Sequence, residues 1–204
     1  GLVFADTTAG IAGLTINNEG SFMFDTDDAA YEGLDAGATQ TETVTYSVTD
    51  TTGDAGNGTF DIVITGTNDA PVATFVAPQA VNEDDAPLTV TLTATDADAN
   101  DVLTFGLDDV TPGLGIAGAD VTFDASDAAY QSLALNDTQV ITVNYTVTDS
   151  QNATDQESFT ITVTGTNDAP VATFSTQQDV NEGSGMANGQ LTATDVDTGD
   201  EAGL

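Results

Sequence analysis

Apolar residues alternate with threonine along several stretches of the chain, which is the pattern of strands with one buried and one solvated face. The clearest stretches cover residues 88–95, 141–148 and 159–164. The positions predicted to face inward are Leu88, Val90, Leu92, Ala94, Ile141, Val143, Tyr145, Val147, Phe159, Ile161 and Val163. Threonine on the outer face is β-branched and polar, so it favours a strand without adding apolar surface.

Clusters of Gly, Asn and Asp separate these stretches. About seven short strands in about 100 residues, with no long helical period, predict an all-β fold of tandem immunoglobulin-like or cadherin-like β-sandwich repeats. The one helical hint is Asp124–Tyr130 followed by Leu133, which recurs as Asp25–Tyr31 followed by Leu34. We interpret it as an Asp-capped single turn that places the tyrosine and leucine in the core.

The phrase Thr-Gly-Thr-Asn-Asp-Ala-Pro-Val-Ala-Thr-Phe occurs unchanged at Thr65–Phe75 and at Thr164–Phe174, 99 residues later (164 − 65). A period of that length suits one whole domain per repeat. We predict the C-terminal part of a first repeat at 1–67, a complete second repeat at 68–166 and the N-terminal part of a third at 167–204. Because the two end pieces are complementary, we expect the tail of one molecule to complete the head of another by strand addition.

The chain has 34 acidic residues and no Lys, Arg or His, which gives a formal net charge of −34. Nucleic acid and anionic lipid are excluded as partners on electrostatic grounds, so the counter-charge is expected to come from solution. The 39% hydrophobic content is that of a globular protein. We find no positively charged leader and no apolar stretch for membrane insertion, so export has to be inferred.

The phrase at Gly66–Val72 and the strand-like Ile161–Thr164 before its second copy resemble the VCBS-type repeats of giant bacterial surface adhesins. The pattern of Asp and Glu is similar to that of cadherin repeats. The resemblance covers essentially the whole chain. It implies an RTX-type, type I secreted protein at the bacterial cell surface, active in cell adhesion and biofilm. In such a protein this segment is an extender whose partners are neighbouring repeats, and the glycan or protein ligand is bound elsewhere.

The cadherin resemblance also implies Ca²⁺ as cofactor. The positions that match the cadherin motifs are Asn68, Asp69, Glu83, Asp96, Asp98 and Asp149. The linker is one residue tighter than in cadherins, and their Asp-Arg-Glu motif is replaced at best by Asn136-Asp137. We therefore expect fewer ions per junction than in cadherins.

Strand parity gives the same grouping independently. In a seven-strand sandwich with alternating directions, the loops after the second and sixth strands return to the end where the repeat begins, and the loop after the first strand lies at the opposite end. One junction is thus expected to gather Asn68, Asp69, Asp96, Asp98 and Asp149, and the next Glu83, Asn167, Asp168, Asp195 and Asp197. Carboxylate and amide oxygens without His or Cys suit Ca²⁺, which takes 6–8 such ligands.

Each of these residues could instead simply close a turn. Recurrence at the 99-residue period favours a ligand role for the pairs Asp69/Asp168, Glu83/Glu182, Asp96/Asp195 and Asp98/Asp197. The acids at Asp84, Asp85, Asp108, Asp109 and Asp155 do not recur, and we interpret them as a solvated face.

Enzymatic motifs are not supported. Asp197-Thr198-Gly199 is the aspartic-protease triplet, but its partner position reads Asp98-Ala99-Asn100, so a polar turn is the better interpretation. We expect a non-enzymatic, calcium-rigidified extender. Two alternatives remain: a glycan-binding module of an extracellular protein that uses the Thr-rich faces, and a halophilic protein in which monovalent salt replaces calcium.

Overall fold

The computed structural model describes residues 1–8, 10–173, 179–183, 185–186 and 188–199. These residues form strands and contain no helix, and so none that could cross a membrane. The strands are β1 (Val3–Asp6), β2 (Leu14–Ile16), β3 (Phe22–Phe24), β4 (Thr39–Thr49), β5 (Ala55–Thr65), β6 (Val72–Ala73), β7 (Gln79–Asn82), β8 (Leu88–Thr91), β9 (Ala94–Thr95), β10 (Thr104–Leu107), β11 (Leu114–Ala117), β12 (Asp120–Phe123), β13 (Thr138–Thr148), β14 (Thr154–Thr164), β15 (Val171–Ala172) and β16 (Ala193–Thr194).

The chain divides into two compact units. The first unit comprises Gly1–Ala73, Ala94–Thr104 and Val147–Asp155. In it, β1, β4 and β5 form an antiparallel sheet, and the hairpin of β4 and β5 pairs along the whole length of both strands. Two small antiparallel pairs, β2 with β3 and β6 with β9, complete its strands. Its buried apolar residues include Tyr31 and Val44.

The second unit comprises Thr74–Thr93, Phe105–Thr146 and Gln156–Leu204. Its larger sheet has the order β10-β13-β14-β7, and its smaller sheet has the order β11-β12-β8. Strand β7 runs parallel to β14, as strand parity requires for the first and last strands of the repeat. The side chains of Leu92, Val121, Phe123, Tyr130, Val143, Tyr145, Ile161 and Val163 are all at most 1% exposed and form its core.

The predicted alternation is confirmed. Along β13, every second residue from Ile141 to Val147 is buried, and β14 shows the same pattern from Phe159. The expected seven strands appear as nine between residues 68 and 166, because the first and second are each divided in two. The first strand changes partner at the break: β6 pairs with β9, whereas β7 pairs with β14. Pro78 lies in this break and has no N–H to give to a ladder.

The segment with the helical hint is a series of turns rather than a helix. Asp127 N donates to Asp124 O, and Tyr130 N donates to Asp127 O. The Asp124 carboxylate accepts from Ser126 N at 3.0 Å, as a capping residue does. Tyr130 is 1% exposed, and its hydroxyl donates to Pro112 O at 2.8 Å. The expected burial of the tyrosine is therefore found without helical backbone.

Candidate metal centres

A short acidic loop follows β9 in the first unit. Asp98 N donates to Asp96 Oδ1 at 3.0 Å, which makes an Asx turn, and Asp101 N approaches Asp98 O at 3.4 Å. These turns bring the three carboxylates to the same side of the loop. Each of the three offers one oxygen atom within 4.8 Å of the other two.

The linker at Asn68 and Asp69 is attached to this loop. Asp69 N donates to Asp98 Oδ2 at 2.8 Å. Asn68 Nδ2 donates to Asp149 Oδ2 at 2.8 Å and to Asp69 O at 2.7 Å, so both of its N–H groups are used. The structure thus brings Asn68, Asp69, Asp96, Asp98 and Asp149 together, as strand parity predicted.

Four oxygen atoms at this site are buried and have no hydrogen-bond partner: Asn68 Oδ1, Asp96 Oδ2, Asp98 Oδ1 and Asp101 Oδ2. We call these four residues the first acidic cluster. In each aspartate, the other carboxylate oxygen accepts a hydrogen bond, from Asp98 N, Asp69 N and Ser150 Oγ respectively. A buried acceptor without a partner costs about 1–3 kcal/mol, and more if it is charged.

The electrostatics of the first cluster are unfavourable without a cation. Asp98 is 3% exposed. Its pKa is raised above the ordinary value, first by burial and then by the charges of Asp69, Asp101 and Asp96, although the hydrogen bond from Asp69 N opposes the shift. The chain has no Lys, Arg or His that could supply the opposite charge.

Asp149 has a different role from the other predicted ligands. Its Oδ1 accepts from Gln151 N at 2.9 Å and Ala153 N at 2.8 Å, while Oδ2 accepts from Asn68. The hydrogen bond from Asn68 is the main cause of its lowered pKa. Asp50, its equivalent 99 residues earlier, makes the same turn with Thr52 and Asp54. Asp149 therefore closes a turn and orients Asn68, so that Asn68 Oδ1 faces away from it.

A second acidic cluster lies in the second unit and consists of Glu83, Asp168 and Asp197. Each offers a carboxylate oxygen within 4.8 Å of the others. Glu83 is fully buried, and its Oε1 accepts from Thr166 N at 2.6 Å. Asp168 N donates to Asp197 Oδ2 at 2.8 Å, which repeats the contact between Asp69 and Asp98.

The second cluster also carries orphaned oxygens, namely Glu83 Oε2, Asp168 Oδ2 and Asp197 Oδ1. The pKa of Asp168 is raised, first by burial and then by the charges of Asp84, Asp197 and Asp195. Asp84 is exposed, as expected of a solvated face. Its charge nevertheless contributes to the raised pKa of Asp168. Its Oδ2 accepts from Thr166 Oγ1 at 2.7 Å.

The two remaining predicted residues support the second cluster from its edge. Asp195 Oδ1 accepts from Asp197 N at 3.0 Å, as Asp96 does for Asp98. Asn167 is exposed, and its Nδ2 donates to Asp168 O at 2.6 Å. All ten residues predicted as ligands thus lie in or beside one of the two clusters.

Sequence reasoning missed Asp101. The signal was present, because Asp200 stands 99 residues after Asp101, so the recurrence rule would have selected this pair. It also missed the residues that form hydrogen bonds between each acidic loop and the preceding repeat. Asn100 N donates to the Asp35 carboxylate at 3.1 Å, and Thr198 N donates to Ser132 O at 3.1 Å. Those two contacts use different residue types, so recurrence would not have found them.

The donor chemistry of both clusters fits Ca²⁺. Two ligand oxygens that bind one Ca²⁺ at 2.3–2.6 Å lie at most about 5 Å apart, and the separations of up to 4.8 Å meet this limit. All donors are hard oxygen atoms, which do not favour zinc or copper. The residues that would hold an ion are Asn68, Asp96, Asp98 and Asp101 in one cluster and Glu83, Asp168 and Asp197 in the other.

Comparison with known proteins supports the fold. Residues 68–162 match the family model described as Bacterial Ig domain. The chain is similar to EC21-23 of human CDH23, at 17% identity and a TM-score of 0.58, covering 97% of this chain and 69% of that one. It is also similar to EC22-24 of mouse Cadherin-23, at 17% identity and a TM-score of 0.56, covering 98% and 67%.

A longer relative is the Protocadherin GammaB4 extracellular domain, at 18% identity and a TM-score of 0.54, where the match covers 98% of this chain but only 32% of that one. No curated protein matches the chain. At such identities the similarity concerns the fold alone. The chain therefore has a cadherin-like, immunoglobulin-like β-sandwich fold.

Proposed function

We propose that this chain is a calcium-rigidified extender segment of a large secreted bacterial surface adhesin, and that the two acidic clusters are its calcium sites. Among the residues that the structure describes, seven buried side-chain oxygens have no hydrogen-bond partner, and all seven lie in the two clusters. This observation carries the proposal. A protein with no cationic side chain needs an external cation to stabilise these oxygens.

Each cluster would connect two consecutive repeats. Its acidic loop holds the linker through the backbone N–H of Asp69 or Asp168. When bound, calcium would supply the counter-charge for the carboxylates around that linker. Without it, repulsion between the carboxylates favours an opened loop and a mobile linker. Calcium would therefore regulate the stiffness of the junction and leave the hydrophobic core unchanged.

The extender role and the bacterial surface location rest on three supports. The sequence is a tandem array with a period of 99 residues. Residues 68–162 match a bacterial immunoglobulin-type family. The repeated phrase resembles the repeats of giant adhesins, whose distal domains bind a glycan or protein ligand and act in cell adhesion and biofilm.

A calcium titration of the 204-residue chain tests the proposal. Extracellular calcium modules bind with a Kd of roughly 10⁻⁴–10⁻³ M, and a tenfold excess over Kd adds about 1.4 kcal/mol per site. For a chain of this size, that raises the Tm by several degrees, about 2–4 °C per kcal/mol. Magnesium at equal concentration, and sodium chloride at equal ionic strength, should stabilise clearly less. Equal stabilisation by sodium chloride would contradict the proposal and favour the halophilic alternative.

Asp98→Asn provides the matched variant. We expect it to weaken calcium binding at the first cluster by roughly 10–100-fold, while raising the Tm of the metal-free protein, because one repelling charge is removed. Asp27→Asn removes an exposed acid outside both clusters and serves as the control, with calcium binding unchanged. Calorimetry on both variants checks this, and equal calcium affinities for the two would remove Asp98 from the site.

A further inference from the structure

The acidic loop of the first cluster is held by the preceding repeat at a second point, separate from the linker. Asn100 lies in this loop between Asp98 and Asp101. Its backbone N–H donates to Asp35 Oδ1 at 3.1 Å, and its side-chain Nδ2 donates to Asp35 Oδ2 at 2.5 Å. Each carboxylate oxygen of Asp35 therefore accepts a hydrogen bond from the same residue of the loop.

Asp35 is itself fixed within the first repeat. The turns that lead to it begin at Tyr31, which is 5% exposed. Leu34 N donates to Tyr31 O at 3.1 Å, and Ala38 N donates to Asp35 O at 2.8 Å. The backbone of Gly66, at the end of β5, lies so close that a Cβ atom there would overlap Asp35 O. These contacts restrict movement of Asp35 relative to the body of its repeat.

The loop is thus attached to the first repeat at two points, all within the first compact unit. One point is the linker, where Asp69 N donates to Asp98 Oδ2. The other is the contact of Asp35 with Asn100, which joins residues 65 positions apart in the sequence. A loop attached at one point can rotate about that point, whereas a loop attached at two points keeps its orientation.

The second junction has the same two attachments, made by different atoms. Asp168 N donates to Asp197 Oδ2 at 2.8 Å, and Thr198 N donates to Ser132 O at 3.1 Å. Thr198 and Ser132 stand 99 residues after positions 99 and 33, which lie within two residues of the first contact. The same two segments therefore meet at both junctions. The first junction uses a side-chain carboxylate as acceptor, and the second uses a backbone carbonyl.

We propose that Asp35 is the positioning residue through which calcium binding at the first acidic cluster fixes the orientation of the first repeat. This inference rests on the proposed function, because it concerns the effect of the bound ion on the loop. A cation held by Asp98 and Asp101 orders Asn100 between them and keeps both of its donors directed at Asp35. Such coupling is reciprocal, so the contact strengthens calcium binding by the factor by which calcium strengthens the contact.

Asp35→Ala in the 204-residue chain tests the coupling, because it removes both acceptors. Residual dipolar couplings of calcium-saturated protein should give one common alignment for the β4–β5 hairpin and for residues 94–104 and 147–155 in the unmodified chain. In the variant, the hairpin and these two segments should align differently. Calorimetry should show calcium affinity at the first cluster reduced by about tenfold, with the second cluster unchanged.

Two further variants separate positioning from charge. Asp35→Asn removes the charge but keeps an acceptor for Asn100 N, and its amide can pair with the Asn100 amide once that group rotates. It should retain the common alignment and most of the calcium affinity. Glu19→Gln removes the charge of an exposed acid in the first unit and should change neither measurement.

A common alignment in calcium-saturated Asp35→Ala would overturn this inference and leave the proposed function standing. Equal losses of calcium affinity in Asp35→Asn and Asp35→Ala would also overturn it, because Asp35 would then act on the ion through its charge. Absence of calcium binding by the unmodified chain would overturn the proposed function and this inference with it.

Discussion

The individual acidic residues of the two clusters divide their oxygens between two roles. Asp98 uses Oδ2 to hold Asp69 N and leaves Oδ1 without a partner. Glu83 uses Oε1 to hold Thr166 N and leaves Oε2 without a partner. One oxygen thus fixes the side chain to the backbone, and the other stays available to a cation. An aspartate that only closes a turn, such as Asp149, has hydrogen bonds to both oxygens.

The stability of the metal-free protein and the stabilisation by calcium should change in opposite directions with pH. The raised pKa values of Asp98 and Asp168 mean that their contribution to the free energy of unfolding is fully present below the ordinary aspartate pKa of 3.8 and is lost as the pH rises through their folded-state pKa values. Asp50 and Asp149 have lowered pKa values, so their contribution is present above 3.8 and is lost as the pH falls through those values.

Metal-free protein should accordingly become more stable as the pH is lowered from neutral towards the ordinary aspartate pKa. The stabilisation by calcium should shrink over the same range, because protons compete with the ion for the carboxylates. Melting curves of metal-free and calcium-loaded protein at successive pH values check this. A Tm of the metal-free protein that falls steadily on acidification from neutral pH would contradict it.

Among the structural elements, the strand end that leads into each linker determines where the ligands lie. Gly165 follows β14, donates to Asp137 O at 2.8 Å and accepts from Asn136 N at 3.1 Å. A Cβ atom at this position would overlap the carbonyl oxygens of Leu133 and Ala134, and one at Gly66 would overlap those of Leu34 and Asp35. The glycine of the repeated phrase is therefore required by a close backbone approach.

Gly165→Ala tests the importance of this approach. We expect a loss of about 1–3 kcal/mol in the free energy of unfolding from overpacking, together with weaker calcium binding at the second cluster, because Thr166 and Asp168 follow directly. Gly106→Ala is the control, since no atom lies within 4 Å of an added Cβ there. Thermal unfolding and calorimetry measure both effects. If the two variants behave alike, the approach at Gly165 does not position the cluster.

For the molecule as a whole, the formal charge of −34 is spread over many exposed acids. Within the described part of the chain, the buried side-chain oxygens without a hydrogen-bond partner lie at two places. The two clusters share no residue and lie in different compact units. We therefore expect two calcium sites that can be removed one at a time.

The double variant Asp96→Asn with Asp98→Asn should lose calcium-dependent protection from hydrogen exchange at Asp69 N, because the oxygen that accepts from it no longer belongs to a calcium-bound carboxylate. Protection at Asp168 N, and in β13 and β14, should remain as in the unmodified chain. Hydrogen exchange followed by NMR with and without calcium resolves these amides. Loss of protection throughout β13 and β14 would show that the first cluster is part of the folding core.

The sequence alone determined the strand pattern, the repeat and most of the acidic clusters, because each of these is periodic. Alternation at every second residue identified the buried face of β13 and β14, and recurrence after 99 residues separated Asp98 and Asp197 from acids such as Asp109. The direction of successive strands then sufficed to sort the ligands between two ends of the repeat.

Only the tertiary structure decided what each oxygen does. Asp149 and Asp98 both recur or match a known motif. Both oxygens of Asp149 accept hydrogen bonds, whereas Asp98 accepts one at Oδ2 and has no partner at Oδ1. The division of the first strand between β9 and β14 likewise depends on partners that are distant in sequence. Periodicity reports which face of a strand is buried, whereas hydrogen-bond satisfaction and strand partnership are set by residues that meet only when the chain folds.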